Sequence, residues 1–112
     1  MKIITESITK TGLVELAKEL FGDMVKAVVD IERGIMAVGG ELHADEEALL
    51  LEHGSKQENL WGINFYPDSS GDDFLEFNSM INIRPSRGNR SRGVEDAAMR
   101  DKIRAVVSTL VK

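Results

Sequence analysis

The sequence predicts an α+β fold: a two-layer, mostly antiparallel sheet of two hairpins, with helices packed on one face. Three observations predict it. Two segments, around residues 13–20 and 99–110, repeat their apolar residues at helical spacing. Two pairs of shorter segments alternate apolar with polar residues, as half-buried strands do. Each pair is joined by turn residues rather than by a crossover long enough for parallel pairing. At 112 residues the chain suits one domain, 1–112, with a single core.

The elements follow in order. Residues 2 to 6 are short and β-like. Leu13, Leu16, Ala17 and Leu20 recur at i, i+3, i+4 and i+7 and share a helix face; Thr9 or Thr11 suits its start and Gly22 its left-handed stop. From 24 to 32, Val25, Ala27, Val29 and Ile31 face one way, while Lys26, Asp30 and Glu32 face the other. Arg33-Gly34 turns the chain tightly, because glycine accepts positive φ, and Ile35-Met36-Ala37-Val38 returns as the second arm. Gly39-Gly40 then loosens the strand. Residues 45 to 53 read as a short helix after a capping Asp45, with Gly54 past its end, although Leu49-Leu50-Leu51 also suits a strand.

The second hairpin begins where Trp61, Ile63 and Phe65 alternate with Gly62, Asn64 and Tyr66. A turn-rich stretch, 67–73, leads to a longer alternation. Leu75, Phe77, Ser79, Ile81 and Ile83 take one face and Glu76, Asn78, Met80, Asn82 and Arg84 the other, until Pro85 ends the strand. In the last helix Met99, Ile103, Val106, Val107 and Leu110 share a face, with Glu95 or Asp96 at its start. The order is therefore β-α-β-β-(α)-β-β-α. The sheet face turned away from the amphipathic helices shows Asn64, Tyr66, Asn78, Asn82 and Arg84.

Composition narrows the chemistry. There is no cysteine, which excludes disulfides, thiolate metal sites and a cysteine nucleophile, and favours the reducing cytoplasm. The first residues carry no apolar run of signal-peptide length, and no run is long enough to span a bilayer. A net charge of −5 opposes binding to bulk nucleic acid. The charge is uneven, however. Residues 41 to 52 hold Glu41, Asp45, Glu46, Glu47 and Glu52 without a Lys or Arg, whereas 84 to 92 hold Arg84, Arg87, Arg90 and Arg92 without an acid.

Three segments carry candidate chemistry. On an extended backbone Glu41, His43 and Asp45 point the same way, and two carboxylates with an imidazole suit acid–base work. The same groups could ligate a divalent metal, although none is assigned; the structural alternative is a helix cap at Asp45, a solvated Glu41 and a partly buried, polar His43. In the second segment Arg84, Arg87, Asn89 and Arg90 form an anion-binding loop. Guanidinium forks hold phosphate or carboxylate, and a Gly88-Asn89 turn can aim backbone N–H groups at an anion. The structural alternative pairs these arginines with the acids of 41–52 at ~0–1 kcal/mol each. In the third, Trp61 reads first as a core anchor and second as a stacking surface for a ligand, with Gly62 permitting a close approach and Asn64 and Asn82 as neighbouring polar contacts. His53, at a helix end, suits contact with the terminal carbonyls. No Gly-x-Ser-x-Gly elbow is present.

The runs Phe21-Gly22-Asp23-Met24-Val25-Lys26, Gly40-Glu41-Leu42-His43-Ala44-Asp45, Leu60-Trp61-Gly62-Ile63-Asn64, Ile81-Asn82-Ile83-Arg84-Pro85 and Gly88-Asn89-Arg90-Ser91 resemble a family of small prokaryotic proteins known as a domain of unknown function. The resemblance spans nearly the whole chain. It implies a compact, single-domain cytoplasmic protein of bacterial or archaeal origin, and it brings no catalytic residue, activity or cofactor with it.

Function is therefore expected from the residues alone. The leading expectation is a binding module for an anionic ligand, either a phosphate- or carboxylate-bearing small molecule or an acidic protein partner, held by Arg84, Arg87, Asn89 and Arg90. The alternatives are a hydrolase using Glu41, His43 and Asp45, and a subunit whose acidic and basic segments assemble it with a partner or with further copies of itself.

Overall fold

The computed structural model describes residues 1–112. Five strands form one antiparallel sheet: β1 (Lys2–Ile4), β2 (Val25–Asp30), β3 (Ile35–Val38), β4 (Leu60–Phe65) and β5 (Leu75–Glu76), in spatial order β1-β3-β2-β4-β5. Three helices accompany it: α1 (Lys10–Leu20), α2 (His43–Glu52) and α3 (Ala97–Leu110). The predicted α+β class, element order and antiparallel sheet are all present.

Local chemistry explains the boundaries. Thr9 caps α1 by accepting from the Gly12 N–H at 2.9 Å, and Gly22 ends it at φ +91°. Asp96 caps α3 through the Ala98 N–H. At the end of α2 the His53 ring donates through Nδ1 to the Leu49 carbonyl at 2.9 Å, the helix-end role expected of it. Between β2 and β3 the Asp30 carboxylate accepts from Glu32 N and Arg33 N, which shapes the turn that Gly34 completes at φ +67°.

The two amphipathic helices share one side of the sheet. Leu13 and Ala17 of α1 and Ile103, Val106, Val107 and Leu110 of α3 bury Val25, Ala27, Val29, Met36, Val38, Trp61, Ile63 and Phe65. On the other side α2 sets Leu50 against Val28, Ile35, Ala37 and Leu60. This second contact corrects the expectation of a wet outer face for β2. Asp30, assigned to solvent by alternation, is fully buried, and Ser55 donates to it at 2.6 Å. Gly40 is bare because α2 passes close: a Cβ there would lie 2.8 Å from Glu46 Cγ.

The predicted long strand from 75 to 84 is a second correction. Only Leu75 and Glu76 pair with β4; the chain then leaves the ladder and makes a tight 3-10 turn at Met80–Asn82. The free edge of β4 is completed by side chains instead. The Asn82 amide accepts from Gly62 N at 2.8 Å and donates to Gly62 O at 2.9 Å, reproducing the pair of bonds a neighbouring strand would supply. Arg84 donates to the Leu60 carbonyl. The alternation of 75–84 thus belongs to a segment that lies beside the sheet and lends it polar groups. Gly62 permits the approach, since a Cβ there would come within 2.5 Å of Ser79 Cβ.

Candidate functional site

The predicted Arg loop is largely occupied by the protein itself. Arg84, whose side chain is only 10 % exposed, donates to Ile81 O and Leu60 O, lies 3.8 Å from Glu47 and stacks on Trp61 with its Cζ 4.9 Å from the ring centre. Burial lowers its pKa, with Glu47 opposing the shift. Arg87 meets Glu58 at 3.4 Å in solvent. Asn89 is buried and laces the loop together: its Nδ2 donates to Asn82 O and Gly93 O, and its Oδ1 accepts from Glu95 N. The anion-binding turn anticipated after Gly88 exists, but its Arg90 and Ser91 N–H groups hold the Glu95 carboxylate, keeping that group below the usual carboxylate range. Arg90 and Arg92 remain exposed, with no acidic partner for their guanidinium groups.

Trp61 is buried in the main core and its ring carries Arg84, which is the anchoring role expected first. Asn82 serves the edge of β4. The Glu41/His43/Asp45 row does not assemble. It required extended backbone, but α2 begins at His43, and a helix turns each residue by about 100° from the last. Glu41 and Asp45 face solvent, and no group of three His, Asp or Glu side chains stands close enough to hold a metal ion.

His43 instead enters a cleft of about 410 Å3 on the α2 side of the sheet. The floor is a row across three strands: Lys26 of β2 pairs with Asn64 of β4, which pairs with Glu76 of β5. The walls are the start of α2 at Leu42–Ala44, the 78–81 turn and Arg92. Asn64, Tyr66 and Asn78, three of the residues predicted on this face, line the cleft, whereas Asn82 and Arg84 do not. Lys26 Nζ donates to Glu41 O at 3.0 Å and keeps two further protons to give. Arg92 lines the cleft; its backbone carbonyl accepts from Ser79 N and Asn82 Nδ2, and its positive charge is felt at His43.

The polar groups inside the cleft are ordered by one another. Glu76 accepts from Asn64 Nδ2 at 2.9 Å and from Tyr66 Oη at 3.2 Å, and Asn64 Nδ2 also donates to Asn78 O. Burial and the adjoining Glu76 carboxylate push the Tyr66 hydroxyl up, so it remains a donor. His43 Nε2 donates to Ile63 O at 2.8 Å. Burial lowers the His43 pKa from its ordinary 6.5; Lys26 and Arg92 act in the same direction, while Ile63 O and Asn64 oppose. The ring is therefore neutral at pH 7, and Nδ1 is left with a lone pair.

An open antiparallel sheet with helices on both sides, carrying a cleft lined by Lys26, Arg92 and a neutral histidine, defines the α+β class of this protein. Residues 2–110 match the family model described as Protein of unknown function (DUF5674), and the chain belongs to that family. No curated protein and no solved structure matches it.

Proposed function

We propose that this protein is a binding module for a small anionic ligand, one that carries a carboxylate or phosphate, and that the Arg-rich loop contributes to the site through Arg92 together with Lys26. The observation that carries this reading is the convergence of these two cations, neither paired with a carboxylate, on a single cleft beside the start of α2. Cations in a partly desolvated depression attract an anion more strongly than the same cations in open solvent. The start of α2 adds to the field: its N-cap residue is Leu42, which supplies no side-chain bond to the first-turn amides. Arg87 and Arg90 lie on the exposed outer loop, where they steer anions toward the cleft without enclosing them.

The test is an NMR titration of the whole chain with sulfate and with inorganic phosphate. Amide shifts are expected at His43, Ala44, Asn64 and Arg92. Lys26→Ala and Arg92→Ala each weaken binding about tenfold or more, as the loss of a ~1.4 kcal/mol charged contact requires, whereas joint Arg87→Ala and Arg90→Ala substitution retains it. Shifts confined to 85–90 would move the site to the outer loop, and the absence of any shift would remove the reading.

A further inference from the structure

Asn64 makes a demand that an anion alone does not meet. Its side chain lines the cleft, the residue is only 5 % exposed, and its Oδ1 is buried without a hydrogen-bond partner. The amide cannot correct this by flipping, because Nδ2 is already committed to Glu76 and to Asn78 O. A buried carbonyl oxygen left unpaired costs about 1–3 kcal/mol, so a ligand whose donor displaces the side chains covering that oxygen recovers part of that amount. The His43 ring stands close to Asn64, but its one N–H makes its well-formed bond, 2.8 Å, to Ile63 O.

Beside that oxygen stands the only acid of the cleft. Glu76 uses Oε1 for both Asn64 and Tyr66, which leaves Oε2 to accept. The cleft thus carries groups of opposite character. Glu76 on β5 and its neighbour Asn64 on β4 accept; Lys26 on β2, the start of α2 and Arg92, whose backbone is bonded to the 79–82 segment, donate. Leu42 and Met80, two of the most exposed large apolar side chains in the molecule, lie on its rim. Its volume of about 410 Å3 falls in the ~300–1,000 Å3 range of small-molecule sites.

We infer that the ligand is a free α-amino acid with an apolar side chain: its ammonium sits between Asn64 Oδ1 and Glu76, its carboxylate faces Lys26, Arg92 and the start of α2, and its side chain lies against Leu42 and Met80. This rests on the anion-binding reading of the cleft and sharpens it. The zwitterion meets both the acceptors and the donors of the cleft, whereas a simple anion leaves Asn64 unsatisfied and meets Glu76 unfavourably.

The experiment compares four probes on the unmodified protein by NMR titration: leucine, N-acetyl-leucine, leucinamide and sulfate. Leucine is expected to shift His43, Ala44, Asn64 and Glu76. Removing the ammonium in N-acetyl-leucine, or the carboxylate in leucinamide, weakens binding at least tenfold. Glu76→Gln keeps the acceptor for Asn64 and Tyr66, weakens leucine at least tenfold, and binds sulfate at least as tightly as the parent. N-acetyl-leucine binding as tightly as leucine overturns the inference whether or not the variant folds. Sulfate bound in the cleft without any preference for leucine overturns the amino-acid assignment and leaves the anion reading standing; no response to any probe overturns both.

Discussion

Replacing Glu46 by Gln should abolish most of the protein's loss of stability between pH 5 and pH 8. Glu46 lies in the first turn of α2, fully buried, with Oε2 accepting from Gly40 N at 3.0 Å and Oε1 without a partner. Burial pushes its pKa from 4.5 up to about 9, against the opposing pull of the Gly40 N–H, Lys26 and the chain's amino terminus. The folded protein therefore keeps a proton that the unfolded chain releases above about 4.5. The stability this group contributes is complete below that pH and is lost progressively until about pH 9. Over three pH units, at ~1.4 kcal/mol per unit, the loss is about 4 kcal/mol, a large share of the ~5–15 kcal/mol that holds a domain of this kind together. Glutamine keeps the acceptor for Gly40 and has no proton to release. Its extra amide hydrogen costs the same at every pH, so the difference in slope isolates the titration. Urea unfolding of both proteins at pH 5, 6, 7 and 8 measures it. Parallel loss of stability in the two proteins would show that the carboxyl is already ionised in the folded state and refute the reasoning.

Other substitutions test the cover on β4 and the charge state of the cleft. Gly62→Ala places a Cβ 2.5 Å from Ser79 Cβ and should cost about 1–3 kcal/mol in chemical denaturation, although alanine is the better residue for a strand. Asn82→Ala leaves both polar groups of Gly62 unpaired and should cost about 2–4 kcal/mol, with the Gly62 amide losing hydrogen-exchange protection before its neighbours; retained protection would show that another group covers it. Sulfate affinity should rise as pH falls below 6.5, because protonation of His43 adds a third positive charge beside Lys26 and Arg92; of the nearby acids, Glu76 lines the cleft, Asp23 acts on Tyr66, and Glu46 behind Lys26 stays protonated through this range. His43→Gln should flatten that dependence, and an unchanged profile in the variant would exclude His43 as its source.

The helices and the first hairpin were legible because each rests on a local pattern. Leu13, Leu16, Ala17 and Leu20 hold one helical stripe, and Val25, Ala27 and Val29 keep their two-residue period in the buried core. Alternation failed where a local pattern was satisfied by a non-local partner. Asp30 looked solvent-facing until Ser55 and the turn amides were brought to it, and the 75–84 stretch alternates without being a strand because Asn82 and Arg84 are spent on β4. The cleft was half visible. Asn64, Tyr66 and Asn78 were assigned to the correct face, and His43 and Arg92 lay in segments already of interest. Lys26 was missed, because its neighbour across the sheet is Asn64 only when β2 lies beside β4, a strand order that no local pattern encodes. Arg84 and Asn89 drew attention by their type, yet type alone does not distinguish a guanidinium or amide offered to a visitor from one already bonded to the chain.

The cover on β4 also bears on how this molecule behaves in company. A sheet whose outer strand displays open N–H and C=O groups is a template on which another chain can polymerise. Here the vacancies at Leu60 and Gly62 are stopped by a guanidinium and a carboxamide, groups that cannot themselves pass the ladder on to a further strand. Loss of either stopper would do more than loosen a loop: it would convert a finished margin into an adhesive one, and the first symptom would be aggregation under conditions where the fold itself survives.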